Sequence, residues 1–256
     1  MAAVGRLGPC VRSVEGFSQV KKNEACALIE KIGVVPAIRV SSSEEAHFAA
    51  EAVASGGIPI VEITMTVPGA VELISHLVHY HPEMMVGAGT VLDTETARLC
   101  LDAGAGFLTA PGFDVKIVEF AAKEDLAVLP GALTPTEVVT AWKAGADFVK
   151  VFPCAEVGGE KYIKALHRSL PDIPLIAAGG VNQQTATGYI LAGAKAIGVG
   201  TELIPTEAIV RRQSRRIREL ATRFAGFVKE ARDRMGPKEQ SKLDPKATGI
   251  EACERQ

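Results

Sequence analysis

Short apolar runs alternate with longer amphipathic stretches along the chain from residue 34 onward. Each apolar run holds four to seven residues and is rich in β-branched and aromatic side chains, a pattern typical of buried strands. The stretches between them carry apolar residues three and four positions apart, which predicts helices that bury one face. The predicted strands are 34–38, 58–64, 85–88, 106–109, 126–129, 148–152, 174–177 and 196–199.

Helix-capping residues predict where the helices between the strands begin and end. Asn23 is predicted to cap a short first helix that Gly33 ends, and later helices are predicted over 43–55, 68–80, 93–104, 134–145, 159–168 and 182–193, with others from 114 and 206. Residues 1–22 lack periodicity and are predicted to be a flexible arm. The charged segment 234–256 is predicted to be a disordered tail.

Eight strands that alternate with eight helices predict an α/β fold with a parallel sheet. The first strand is followed by Arg39-Val40-Ser41-Ser42-Ser43 rather than by the glycine-rich loop of an open dinucleotide-binding sheet. An Ala-Gly-Ala tripeptide also precedes three strands, at a spacing of about two strand–helix units. We therefore predict a closed (β/α)8 TIM barrel over residues 23–233, with an N-terminal helix and a charged C-terminal tail.

Composition narrows the functional classes. The chain has 256 residues, 47% of them hydrophobic, and a net charge of −2, so its charge gives no reason to expect nucleic acid or a membrane as a partner. The last predicted helix has an arginine-rich face, which we interpret as a solvated face beside acidic neighbours. No apolar run approaches a membrane span, and the five scattered cysteines favour a reducing, cytoplasmic location.

Lys150 is a single cation inside the apolar strand Phe148-Val149-Lys150-Val151-Phe152. Because alternate side chains of a strand share a face, Lys150 points the same way as Phe148 and Phe152. Loss of hydration favours the neutral amine, the form that attacks a ketone carbon. The alternative is a lysine on an edge strand whose ammonium group reaches solvent.

Other reactive side chains are predicted at the carboxyl ends of the strands, where the active sites of such barrels lie. Glu62 is flanked by apolar residues, so it is either a buried general acid/base or a structural ion-pair partner of Lys150. Arg39 ends the first strand and is either a carboxylate-binding group or a surface residue. The last two predicted strands run into glycine-containing loops, suited to binding a phosphate: Gly179-Gly180 and Gly200-Thr201.

Three histidines, His76, His79 and His81, lie close together at a predicted helix end. A metal site would need a further carboxylate or cysteine at a fitting spacing, and none accompanies them in the sequence. No metal and no other cofactor is therefore expected.

The ordered set of motifs resembles the bacterial 2-keto-3-deoxy-6-phosphogluconate / 4-hydroxy-2-oxoglutarate aldolases over about residues 24–204. The motifs are Val61-Glu62-Ile63-Thr64, Gly87-Ala88-Gly89-Thr90-Val91, Pro111-Gly112, Pro130-Gly131, Phe148-Val149-Lys150-Val151-Phe152-Pro153 and Gly179-Gly180-Val181. The resemblance implies a class I, metal-independent (β/α)8 enzyme that assembles as a homotrimer and acts on a phosphorylated 2-keto acid.

The resemblance also implies roles for single residues. Lys150 would form the Schiff base and Glu62 would move its protons. Thr90 would bind the pyruvyl carboxylate, and the remaining predicted binding residues would line the pocket or hold the phosphate: Pro111, Phe152, Gly179, Gly180, Gly200 and Thr201.

Two departures from the commonest family pattern affect the expected substrate. Thr66 stands where many members have arginine, but other members combine that threonine with an arginine at the position of Arg39, so Arg39 and Thr66 are expected to bind the substrate. Ala178 replaces a threonine that often precedes Gly179-Gly180. These changes affect the expected sugar acid more than the reaction class, so the phosphogalactonate epimer and 4-hydroxy-2-oxoglutarate stay open as substrates. The sequence also leaves open another phosphate-binding barrel enzyme, or a barrel that binds phosphosugars without catalysis.

Overall fold

The computed structural model describes residues 20–236. The predicted arm therefore lies outside the described residues except for 20–22, as does the predicted tail beyond residue 236. The strands are β1 (Val34–Ile38), β2 (Ile60–Thr64), β3 (Met85–Gly89), β4 (Phe107–Thr109), β5 (Ala127–Leu129), β6 (Gly131–Ala132), β7 (Val149–Val151), β8 (Leu175–Ala178) and β9 (Ala196–Val199).

Helices follow the strands along the described chain. They are α1 (Lys22–Ile32), α2 (Ser43–Ser55), α3 (Ala70–Tyr80), α4 (Thr94–Asp102), α5 (Val115–Lys123), α6 (Pro135–Lys143), α7 (Glu160–Ser169), α8 (Ala186–Leu191), α9 (Thr206–Val210) and α10 (Ser214–Arg234). A single 3-10 turn (Ala155–Val157) lies between β7 and α7.

The described strands form one parallel sheet in the order β5-β4-β3-β2-β1-β9-β8-β7-β6. The two ends of this order, β5 and β6, are separated in the chain by Pro130 alone, and Lys150 N donates to the Pro130 carbonyl at 2.9 Å. The sheet is therefore a nearly closed barrel in which Pro130 separates β5, which lies within the predicted fifth strand, from a short additional strand, β6. Proline causes the break because it has no N–H to continue the ladder.

Side-chain caps explain where several helices start. Ser42, Asp93 and Asp114 accept backbone N–H bonds at the starts of α2, α4 and α5. Thr134 and Glu137 form a reciprocal capping box at α6, with Pro135 in the first turn. These polar residues satisfy N–H groups that the first helical turn leaves without partners, so the sequence itself fixes the point where the chain leaves each loop.

Some predicted boundaries were wrong. The first helix is preceded by Lys21, so Asn23 lies inside it and does not cap it. The helix predicted from residue 182 starts at Ala186, because the Asn182 side chain accepts bonds from Gln184 N and Thr185 N and holds a turn there. The last helix is two helices, α9 and α10, divided near Arg212, which has a left-handed φ of 51°.

Helix α10 packs against α2 and α8 and completes the outer helix layer. Its buried face includes Ile217, Phe224 and Val228. The predicted solvated arginine face is confirmed: Arg212 pairs with Glu44, and its neighbours pair with other glutamates of the described chain. Among the helices described here, none combines the length and apolar character needed to cross a bilayer.

Candidate active site

Lys150 lies at the centre of β7 and directs its amine into the carboxyl end of the barrel. Its Nζ atom is 3.6 Å from Oε2 of Glu62 and donates to Oγ1 of Thr109 at 3.4 Å. Only 14% of the Lys150 side chain and 4% of the Glu62 side chain are exposed. The Phe152 ring centroid is 5.7 Å from Nζ, as the shared strand face predicted. The lysine thus faces the barrel interior and does not extend into bulk solvent.

The position of the Glu62 carboxylate depends on a glycine in the neighbouring strand. It pairs with Gly87 in the β2–β3 register, and a Cβ atom added at Gly89 would lie 2.1 Å from Glu62 Oε1. The carboxylate therefore occupies the space that any other residue at 89 would fill. An amine and a carboxylate at this separation can exchange a proton directly after a small movement, or through one water molecule.

Polar burial is concentrated at this site. Within the described part of the chain, the buried polar or charged residues are Glu62, Thr64 and Thr109. Thr109 contacts the lysine, and Thr64 donates to the Ile38 carbonyl at 3.0 Å. The Thr64 bond ties β2 to β1 immediately before Arg39, so these buried polar groups support the barrel mouth.

The predicted carboxylate-binding residues lie at the rim of the mouth. Arg39 is exposed and forms no ion pair with another described residue. Thr66 is also exposed, and its hydroxyl is 2.7 Å from that of Thr64. Thr90 follows β3 and has φ 59°, a left-handed conformation that is costly for a β-branched residue. Strain of this kind clusters at functional sites, because the surrounding structure must hold it in place.

Pro111 and Gly131 bring two loops together on the opposite side of the mouth. Pro111 is exposed after β4, and a Cβ at Gly131 would lie 2.1 Å from the Pro111 carbonyl oxygen. Gly131 N donates to the Gly112 carbonyl at 3.1 Å. The missing side chain at Gly131 is what lets the Pro111 loop approach β6.

The two glycine loops follow adjacent strands, since β8 pairs with β9. Gly179 and Gly180 have φ values of 83° and 79°, and a Cβ at Gly180 would lie 2.3 Å from that of Ala155. Gly200 accepts bonds from Leu203 N and Ile204 N, which turn the chain after Thr201. A cleft of about 470 Å³, lined in part by Thr201, Gln183 and Arg223, lies beside this loop.

Sequence reasoning overlooked several supporting residues. Thr109, Gly89 and Gly131 shape the lysine site. Gly89 and Gly131 belong to the motifs of the family resemblance but were given no role, and Thr109 was marked only by its position at a strand end. Cys154 donates its thiol to the Gly179 carbonyl at 3.4 Å. Burial raises the pKa of the Cys154 thiol, which keeps its proton available for that contact.

Comparison with known proteins gives a consistent result. A family profile described as "KDPG and KHG aldolase" matches residues 26–220. A 2-dehydro-3-deoxy-phosphogluconate aldolase of Pseudomonas aeruginosa is 30% identical over 202 residues, covering 77% of this chain and 92% of the relative. A 2-dehydro-3-deoxy-6-phosphogalactonate aldolase of Escherichia coli is 32% identical over 205 residues, covering 79% and 96%.

A solved structure extends the likeness to the fold. The KDPG aldolase from Legionella pneumophila, with pyruvate captured as a covalent carbinolamine intermediate, superimposes with a TM-score of 0.72 at 29% identity. The match covers 77% of this chain and 96% of the Legionella chain. With the profile spanning well over half of its length, this chain belongs to the KDPG and KHG aldolase family of lyases.

Proposed function

We propose that the protein is a class I aldolase that cleaves 2-keto-3-deoxy-6-phosphogluconate (KDPG) reversibly to pyruvate and glyceraldehyde 3-phosphate. The observation that carries the proposal is the enclosed pair of Lys150 and Glu62, with Nζ and Oε2 3.6 Å apart at the mouth of the barrel. A nucleophilic amine beside a proton carrier is what covalent catalysis on a ketone requires.

The first half of the proposed reaction forms the Schiff base. Glu62 takes the proton of Lys150, and the neutral amine attacks the C2 ketone to give a carbinolamine. Glu62 then returns the proton to the carbinolamine hydroxyl, which leaves as water while the nitrogen lone pair forms the C=N bond. The protonated imine is an electron sink, and in this mechanism it supplies the polarisation that a metal ion provides in other aldolases.

The second half breaks the carbon–carbon bond. Glu62, or a water molecule that it holds, removes the C4 hydroxyl proton, and the electrons of the C3–C4 bond move into the imine. The aldehyde leaves, and the remaining enamine takes a proton at C3. Water then adds to the imine carbon, and collapse of the carbinolamine releases pyruvate and frees Lys150.

The rim residues are assigned to substrate binding. Arg39, Thr66 and Thr90 would hold the carboxylate, because an arginine that forms no ion pair with any described residue and two hydroxyl groups lie on neighbouring strand ends. Pro111 and Phe152 would flank the keto acid. The phosphate would be bound by backbone N–H groups of the two glycine loops, at Gly179, Gly180, Gly200 and Thr201.

The names of related proteins support this assignment. The Pseudomonas aeruginosa relative acts, by its name, on the phosphogluconate derivative, and the Legionella structure holds pyruvate covalently as a carbinolamine. A carbinolamine is the intermediate that the proposed attack by Lys150 would form. Homologous chemistry is therefore expected here, with the sugar-acid preference as the finer part of the proposal.

Trapping with borohydride tests the covalent step. Pyruvate and sodium borohydride are added to the protein, and peptide mass spectrometry locates the reduced adduct. The adduct is expected on Lys150 and is expected to be missing in Lys150→Ala, with another buried-strand variant such as Val149→Ala as a matched control. A protein that cleaves KDPG without any adduct on Lys150 would overturn the mechanism.

A second substrate is favoured by a specific observation. The Escherichia coli relative at 32% identity is named for the phosphogalactonate epimer, and Arg39 with Thr66 matches the less common family pattern. Coupled pyruvate detection over a panel of KDPG, the phosphogalactonate epimer and 4-hydroxy-2-oxoglutarate would rank them. Thermal stabilisation by these acids without pyruvate release would instead indicate a binding protein.

The assembly and location belong to the same proposal. A homotrimer is expected from the family resemblance and is tested by light scattering coupled to size-exclusion chromatography. The described cysteines, Cys26, Cys100 and Cys154, are free thiols. Free thiols fit a reducing, cytoplasmic compartment.

A further inference from the structure

A cluster of imidazole and carboxylate groups lies in the outer helix layer, between α2 and α3. His47 and Glu51 are one turn apart on α2, and His81 follows the last turn of α3. One ligand atom from each of the three lies within 4.8 Å of the other two. Of these three residues, only His81 belongs to the group of histidines noted in the sequence. The fold brings His47 and Glu51 to it from a different helix.

We propose that His47, Glu51 and His81 bind a divalent transition-metal ion of the zinc class. Glu51 lies between the two rings: its Oε2 is 3.7 Å from His47 Nδ1, and its Oε1 is 3.8 Å from His81 Nε2. Ligands of a tetrahedral zinc ion lie about 3.3 Å apart, given bond lengths of about 2.0–2.1 Å. The Glu51 oxygens must approach the two rings by about 0.4–0.5 Å, which this half-exposed side chain allows, and the most widely separated ligand atoms, within 4.8 Å, must approach by up to about 1.5 Å.

The outer contacts of His81 are those of a metal ligand. Its Nε2 faces Glu51 while its Nδ1 lies 3.6 Å from Oε1 of Glu83. A carboxylate on the far nitrogen fixes the tautomer and ring orientation of metal-binding histidines. In the second ring, that of His47, the Nε2 atom is buried and has no hydrogen-bond partner among the described residues, although 31% of the side chain is exposed. Buried polar atoms normally have such a partner.

The ligand set selects the class of ion. Two imidazoles and one carboxylate suit zinc, cobalt, nickel or copper, whereas magnesium and calcium prefer oxygen ligands alone. Three protein ligands leave a fourth position for water or another side chain. The His76 ring, 5.2 Å from that of His47, is adjacent to the cluster.

The position of the site indicates a structural role. An ion bound here would join α2 to α3, the helices that follow β1 and β2. Glu62 lies on β2 and Arg39 directly follows β1. The cluster itself lies in the outer helix layer, where the His81 carbonyl accepts from Met84 N just before β3. The ion would stabilise this part of the barrel and would take no part in chemistry at Lys150.

Metal titration of the full-length protein tests the proposal. After removal of metals with a chelator, Zn²⁺ is titrated by calorimetry and Co²⁺ by its visible absorption, which reports tetrahedral coordination. We expect one ion per chain, a melting temperature that rises with Zn²⁺, and binding at least tenfold weaker in His47→Gln and in His81→Gln. His79→Gln is the matched control, since His79 contacts the Tyr80 ring and lies outside the cluster.

The outcomes separate a metal site from an ion-pair network. Melting curves of the metal-free variants show whether each is folded, and pyruvate trapping at Lys150 reports the catalytic site independently. No Zn²⁺ binding below about 100 µM, or equal affinity in wild type, His47→Gln and His81→Gln, would overturn the proposal. Loss of the Zn²⁺-induced stabilisation in the two variants but not in His79→Gln would support it.

Discussion

Gly89→Ala tests whether the placement of the Glu62 carboxylate controls turnover. The added Cβ would lie 2.1 Å from Oε1 and 2.5 Å from Cδ of Glu62. Ordinary contact begins near 3.4 Å, so the carboxylate must move by about 3.4 − 2.1 = 1.3 Å or the strand must shift. Glu62 is nearly fully buried, which leaves the displaced group little free space.

The expected loss follows from that displacement. Moving a catalytic group by about 1 Å costs roughly a hundredfold in rate, because the proton no longer reaches its acceptor in line. We therefore expect kcat for KDPG cleavage to fall about a hundredfold in Gly89→Ala, equivalent to about 2.7 kcal/mol of transition-state stabilisation. KM should change less than kcat, because most residues proposed to bind the substrate follow other strands and only Thr90 adjoins Gly89.

Coupled detection of pyruvate with lactate dehydrogenase gives kcat and KM for this comparison. Gly87→Ala is the matched variant, because Gly87 lies on the same strand as Gly89. Its added Cβ would lie 2.2 Å from the Phe107 ring, and the nearest atoms that it meets are not those of the Glu62 carboxylate. It should lower the melting temperature with a smaller effect on kcat. Gly226→Ala is the neutral control, since a Cβ there meets nothing within 4 Å.

Two results would refute the reasoning. Gly89→Ala with kcat within threefold of wild type would mean that Glu62 either does not transfer protons or does not depend on this gap. An equal loss of kcat in Gly87→Ala and Gly89→Ala would mean that general strain in β3, rather than the position of the carboxylate, causes the effect.

Three further changes test other parts of the site and the fold. Glu62→Gln should lower kcat by about a hundredfold or more, as measured by pyruvate release, because the amide cannot move protons. Thr90→Gly should raise the free energy of unfolding in urea by about 1 kcal/mol, since it relieves a left-handed φ, while it raises KM. Burial raises the pKa of the Cys26 and Cys100 thiols from 9.0 to about 12. Because the folded state binds these protons more tightly, their stabilisation is complete below pH 9 and is lost between pH 9 and 12, so wild type should lose more melting temperature from pH 8 to 11 than Cys26→Ala/Cys100→Ala.

The repeating architecture was predictable because barrel strands are apolar on both faces and helices carry their own caps. Thr134 starts a helix through contacts within four residues of sequence, so local pattern was sufficient there. The helix α2 was also predicted, but its cap is Ser42 and not Ser43, as the sequence had suggested. The short strand β6 that follows Pro130 was missed, because it depends on pairing with β7. The helix start at Ala186 was missed because Asn182 binds backbone groups ahead of it.

Charged residues within apolar strands were predictable as candidate site residues. Glycines that leave space for the side chain or backbone of a neighbouring strand were not. A lysine within an apolar strand stands out in any sequence, and Glu62 stands out for the same reason, since it is a carboxylate within another apolar strand. Gly89 and Gly131 act by having no side chain where another strand's atoms pass. That function depends on sheet register across the barrel, as does the meeting of His47 with His81 from separate helices.

The buried pair itself predicts a conflict between stability and reactivity. Lys150→Met leaves the Glu62 carboxylate, with 4% of its side chain exposed, without a cation, which should cost about 3 kcal/mol in urea unfolding. The double variant Lys150→Met/Glu62→Gln removes both charges and should recover most of that loss, although it forms no pyruvate adduct. Glu62→Gln alone supplies the fourth corner of the cycle. If Glu62→Gln changed the free energy of unfolding by the same amount in wild type and in Lys150→Met, the two groups would not be energetically coupled, and proton exchange between them would lose its structural basis.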